Sequence, residues 1–85
     1  MTKKAIVIGA TSGIGLEVAR LLAVRGYSVG IAGRRVERLQ EIVETTDGIV
    51  AWQQIDVNAE DATEGLHELI GKMGGMDLYF HSSGI

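Results

Sequence analysis

Ile6-Val7-Ile8-Gly9-Ala10-Thr11-Ser12-Gly13-Ile14-Gly15-Leu16 runs an apolar strand pattern straight into three glycines and out of them into a helical pattern. Gly9 lets the chain turn sharply, because a residue without a Cβ takes positive φ at little steric cost. Gly13 and Gly15 remove side-chain bulk where a helix begins, so an anionic group can approach the backbone and the helix can lie close on its strand. The free N–H groups of the first helical turn then face that anion along the favourable end of the helix dipole. The segment predicts a pyrophosphate cradle, with Ile14 between its last two glycines and the hydroxyls of Thr11 and Ser12 within it, where they bond phosphate or ribose oxygens or tie off the turn.

Outward from this bend, Lys4 to Ile8 reads as a buried strand. Ile14, Val18, Leu21 and Leu22 recur at helical spacing and predict a helix that stops near Gly26, with that stripe inward and Glu17 and Arg20 on its polar side. Tyr27 to Ala32 is a second strand, ended by Gly33. Val36, Leu39, Ile42 and Val43 give a second helix, and Asp47-Gly48 a turn. Ile49 to Ile55 is a third strand, with Trp52 expected to pack on the sheet. Asn58 is the expected N-cap of a third helix that carries Glu60 and Asp61 in its first turn, Leu66, Leu69, Ile70 and Met73 as its apolar stripe, and His67 on its surface. Gly74-Gly75 ends that helix, and Met76 to His81 is a fourth strand with Asp77 at its entrance.

Strands alternating with helices imply a parallel sheet with right-handed crossovers. The fold class is α/β, a Rossmann-type sheet whose first four strands lie in the order 3-2-1-4, with three helices. Such a sheet places two helices on one face and the third on the other, with its ligand crevice at the carboxyl ends of the strands. The four strands make an incomplete doubly wound fold, and the fourth is expected to expose an edge through which the isolated chain associates.

Composition narrows the partners. The 85 residues allow one small domain, and the 46% hydrophobic and 22% charged content is that of a folded globular chain. A net charge of −3 gives no dense basic face, so neither nucleic acid nor an anionic membrane is an expected partner. The absence of cysteine excludes disulfides and thiolate metal sites, fits a reducing cytoplasm, the expected compartment, and leaves no metal cluster. No apolar stretch has the length of a signal-peptide core or a membrane span.

The glycine spacing is G-x-x-x-G-x-G rather than the G-x-G-x-x-G of the general dinucleotide fingerprint. In this it resembles the short-chain dehydrogenase/reductase family, whose loop reads Gly-Ala-Thr-Ser-Gly-Ile-Gly or close to it. The resemblance implies an oxidoreductase that moves hydride between a nicotinamide dinucleotide and a small alcohol or carbonyl substrate, as a homo-oligomer. It also implies that these residues are the amino-terminal, nucleotide-binding half of a single-domain protein of roughly 250 residues, a common size for one α/β domain. The family's catalytic Ser and Tyr-x-x-x-Lys pair have no match here: Ile31 stands four places after Tyr27 and Ser83 four after Tyr79. No catalytic residue is therefore expected in this chain, which alone should be inactive.

Cofactor choice is read from Ala32-Gly33-Arg34-Arg35. An acid at the end of strand two bonds the 2′-hydroxyl of NAD and repels the phosphate of NADP. Gly33 occupies that place and Arg34 follows it, a guanidinium that matches phosphate bidentately. The expected cofactor is NADP rather than NAD, with Arg35 assisting. By resemblance, Asp56 accepts from the adenine amino group and Val57 flanks the ring. His81-Ser82-Ser83-Gly84 stands where the family commonly has Asn-Asn-Ala-Gly; Ser83 and Gly84 are expected to line the nucleotide with their backbone, and His81 to be structural. Two other classes remain: a non-catalytic NAD(P)-binding or redox-sensing Rossmann protein, supported by that altered segment, and a methyltransferase, which would want an acid where Gly33 stands.

Overall fold

Four strands and three helices alternate along the chain: β1 (Lys4–Ile8), α1 (Gly13–Val24), β2 (Ser28–Gly33), α2 (Val36–Thr45), β3 (Ile49–Gln54), α3 (Ala62–Met73) and β4 (Leu78–His81). The structure is a computed structural model and describes residues 2–10, 13–56 and 60–82. All strand pairs are parallel and the sheet order is β3-β2-β1-β4, as expected. The expected strands are each found, with β2 beginning at Ser28, β3 ending at Gln54 and β4 beginning at Leu78.

The interior strands are apolar on both faces because both faces are covered. Ala5 and Val7 of β1, Val29 and Ile31 of β2 and Ile49 of β3 pack with Leu16 and Ala19 of α1 and Leu39 and Ile42 of α2. Ile6, Ile8, Ala32 and Ile55 pack with Leu69 and Met73 of α3 on the opposite face. A side chain at Gly30 would place its Cβ 2.9 Å from the Met73 sulfur, so the missing side chain on β2 is what lets α3 sit down.

Helix α1 lies on the sheet through a different stripe from the one its apolar residues suggest. Gly15, Leu16 and Ala19 are buried, with Val18, Leu22 and Ala23 packed partly against the same core. Ile14 is 71% exposed and Leu21 54%. The small residues Gly15 and Ala19 bring the helix backbone close to the strands, which rotates the larger Ile14 and Leu21 to the flank. Size at the contact, rather than apolar count, sets the face.

The start of α3 is also later than expected. Glu60 and Asp61 lie in the turn before the helix, Asp61 is the N-cap residue without a side-chain cap bond, and Glu64 is the acid of the first turn. The expected cap Asn58 falls outside the described residues. At the other end Gly74 takes φ +77°, and the amides of Gly74 and Gly75 bond the carbonyls of Gly71 and Ile70, a glycine-closed helix end. Lys4 adds its Nζ to the Gly74 carbonyl at 3.1 Å, and its backbone N–H donates to Asp77 at 2.8 Å, so Asp77 does stand at the entrance to β4.

The two sheet edges differ. On β3, Lys72 of α3 donates to the Trp52 carbonyl at 2.9 Å and to Gln53 Oε1 at 2.7 Å, while Gln53 donates to Glu68 at 2.9 Å. The same ammonium lies 5.5 Å from the centre of the Trp52 ring, which packs on the sheet as expected. A lysine over the edge carbonyl blunts a strand that would otherwise be a pairing template. On β4, Leu78 and Tyr79 are exposed.

Truncating Leu69, fully buried between α3 and the sheet, should cost about 2–5 kcal/mol, whereas Glu17→Ala on the outer side of α1 should change stability by no more than about 0.5 kcal/mol. Urea titration of both variants checks this, and equal midpoints would contradict the described packing.

Candidate nucleotide-binding site

A parallel sheet delivers the ends of all its strands to one side, and there the chain places Gly9 after β1, Arg34 after β2, Asp56 after β3 and Ser82 after β4. The bend after β1 is held by its neighbours. The amides of Gly9 and Ala10 both donate to the carbonyl of Ala32, at 2.8 and 3.2 Å, which ties the bend to the end of β2. Gly9 has φ +82°, and a Cβ on it would meet the Ser82 carbonyl oxygen at 2.7 Å. The Ser82 amide in turn donates to Ile8 at 2.9 Å, so the end of β4 closes against the bend.

Gly13 and Gly15 do separate jobs. An ideal Cβ on Gly15 would sit 2.2 Å from the Gly9 carbonyl oxygen, so only glycine lets α1 start this close to β1. Gly13 has φ +60°, and a Cβ there would meet no described atom within 4 Å, which leaves its outer side open to a ligand. Helix α1 carries no acid in its first turn, so none of its side chains there neutralises the positive end of its dipole. Thr11 and Ser12 lie outside the described residues, as do Val57, Ser83 and Gly84.

The second turn is cationic. Arg34 and Arg35 are exposed, and Arg35 is the N-cap residue of α2, with φ −95° and ψ 93° and no side-chain cap bond. Arginines at a helix amino end are disfavoured by the dipole, and Glu37 supplies an acid in the first turn of α2. Arg34 lines a hollow of about 250 Å³ together with Gln54, Asp56 and Asp61. The structure thus brings together Arg34 and Asp56, which the sequence separates by 22 positions. Arg35 instead lines a neighbouring hollow of about 500 Å³ with Val36, Glu37, Arg38, Glu41 and Gln54, in which Arg38 is ion-paired with Glu41. Gln54, at the end of β3, was not singled out from sequence, and Asp61, the N-cap residue of α3, was expected only as an acid of that helix's first turn.

The remaining candidates are placed without a chemical role. Tyr27 precedes β2 at the opposite end of the sheet from the bend, and His67 is exposed on α3. His81 closes β4 opposite Ile8, with its ring centre 6.4 Å from that of Tyr79. Among the described residues no group of three or more His, Cys, Asp or Glu is placed to hold a metal ion, and no helix is long and apolar enough to cross a membrane.

The two glycine roles are separable. Gly15→Ala forces backbone apart and should lower stability by about 1–3 kcal/mol or more, together with nucleotide binding. Gly13→Ala keeps the packing and should add about 1–2 kcal/mol of left-handed backbone strain. Thermal melts of the two variants check the order, and a Gly15→Ala protein at least as stable as Gly13→Ala would contradict it.

Comparison with known proteins agrees with this architecture. The short chain dehydrogenase family model matches residues 3–85. An uncharacterized oxidoreductase of Listeria monocytogenes is 39% identical over 87 residues, which cover 98% of this chain and 35% of that protein. Among solved structures, an actinorhodin polyketide ketoreductase with NADPH superposes with a TM-score of 0.78 at 32% identity, over 95% of this chain and 33% of that one. An alcohol dehydrogenase from Thermococcus sibiricus complexed with 5-hydroxy-NADP gives 0.80 at 28% identity, over 93% and 36%. The chain spans about a third of the length of the relatives it matches. With this match over nearly all its residues, the chain belongs to the short-chain dehydrogenase family.

Proposed function

We propose that this chain is the NADP-holding part of an oxidoreductase that transfers hydride between the nicotinamide cofactor and an alcohol or carbonyl substrate, and that it forms the amino-terminal part of a protein of roughly 250 residues. The cofactor supplies the hydride chemistry, and the protein supplies binding and orientation. The residues present fit such a group. The open side of Gly13 and the start of α1, with no acid in its first turn, suit a pyrophosphate, and the hollow shared by Arg34 and Asp56 suits a 2′-phosphorylated adenosine.

One observation carries the preference for NADP over NAD: at the end of β2, where a ribose-binding acid would stand, the chain has Gly33 and then Arg34, exposed at an uncapped helix start. The ketoreductase and the alcohol dehydrogenase above were solved with NADPH and a modified NADP, which supports the same reading. Asp56 is assigned to the adenine amino group, Arg34 to the phosphate, and Arg35 to a supporting charge. Val57, Ser83 and Gly84 are assigned to the nucleotide by resemblance alone, and Thr11 and Ser12 to phosphate or ribose oxygens. A nucleotide-binding or redox-sensing protein without turnover is the alternative, favoured by His81 and Ser82 in place of the family's Asn pair beside the bend. Turnover of the native-length protein on a panel of carbonyls with NADPH separates the two.

Arg34→Ala in the native-length protein should weaken NADPH by about 1–3 kcal/mol, the scale of a hydrogen bond to a charged group, and leave NADH within about twofold. Fluorescence titration with both cofactors checks this, and equal weakening of the two would contradict the assignment.

A further inference from the structure

We propose that Gln54 is a positioning residue for cofactor choice: its side-chain amide fixes the Arg34 turn and thereby sets the discrimination between 2′-phosphorylated and unphosphorylated dinucleotides. The inference rests on the NADP reading above and adds a residue to it.

Two bonds tie the turn after β2 to the neighbouring strand. The Ile55 amide donates to the Gly33 carbonyl at 2.9 Å, a backbone bond that any residue but proline makes. Gln54 donates its Nε2–H to the Arg34 carbonyl at 3.3 Å, which only a side chain with a donor at that position provides. Helix α2 holds the far side of the turn through the Arg35 carbonyl, which accepts from the Leu39 amide at 3.0 Å, while the Arg35 side chain makes no cap bond. The Gln54 contact is the side-chain restraint on the Arg34 carbonyl itself, between the backbone bonds that hold Gly33 and Arg35 on either side. Gln54 also stands between the hollow of Arg34 and that of Arg35.

The acids give the constraint its importance. Asp56 and Asp61 line the same hollow as Arg34. A guanidinium on a loose backbone has these carboxylates to turn toward. One held from its own carbonyl is already disposed toward an incoming phosphate, and less ordering is left to do on binding. The effect is expected at the phosphate, because the Gln54 amide bonds the Arg34 carbonyl rather than the Gly9–Gly15 bend or Asp56.

The test is a double-mutant cycle in the native-length protein, with Gln54→Leu, Arg34→Ala and the combination titrated with NADPH and NADH, and with 2′,5′-ADP against ADP as isolated probes. Gln54→Leu should weaken NADPH and 2′,5′-ADP about five- to tenfold, the size of one hydrogen bond, with NADH and ADP within twofold. In the Arg34→Ala background the same change should have no further effect beyond twofold. The isosteric Gln54→Glu, which loses the donor and adds a charge, should show at least the same loss and serves if the leucine variant does not fold. Equal losses for both cofactors, or a loss that persists without Arg34, would overturn the proposal while leaving the Arg34 reading intact. An Arg34→Ala protein with undiminished NADPH affinity would remove the cofactor reading and this inference with it.

Discussion

Helix α1 begins so close to the end of β1 that a single methyl group on Gly15 would collide with the Gly9 carbonyl at 2.2 Å. That contact fixes where the helix points, and the rest of the site depends on it. With Gly15 seated, Leu16 and Ala19 reach the core, the bend at Gly9 closes against Ser82, and the first turn of α1 projects beyond the strand ends. The first amides of the bend, those of Gly9 and Ala10, are taken by the Ala32 carbonyl, which ties the bend to the end of β2.

The same logic of strand ends extends across the sheet. Parallel pairing in the order β3-β2-β1-β4 puts the ends of β2 and β3 beside the bend, so residues far apart in sequence share one hollow. A phosphate cradle made of backbone has no preference between related dinucleotides. Preference needs side chains, and among the described residues Arg34, Gln54, Asp56 and Asp61 line one hollow at the neighbouring ends.

Most of this was legible in the residues. Glycine spacing after a β-branched run located the bend, and strand-helix alternation gave the sheet order and the sides on which the helices lie. The place of Arg34 directly after strand two was legible from the glycine that ends that strand. The face of α1 was legible in part: Val18 and Leu22 pack against the core, but a rule that counts apolar side chains overlooks Gly15 and Ala19, whose smallness makes the contact and leaves Ile14 and Leu21 on the flank. The start of α3 was misjudged because acids suit both a first helical turn and the turn before one, and only the backbone decides between them. Gln54 carried no motif; its bond to the Arg34 carbonyl exists only once β3 lies beside β2.

Whether main-chain amides at the start of α1 grip a diphosphate is tested most directly by amide chemical-shift changes across an NADPH titration of the native-length protein. The largest shifts are expected at Gly13, Ile14 and Gly15, with a second group at Arg34 and Arg35. Saturable binding that leaves the Gly13–Gly15 amides unmoved, or no binding by a folded protein, would contradict that grip.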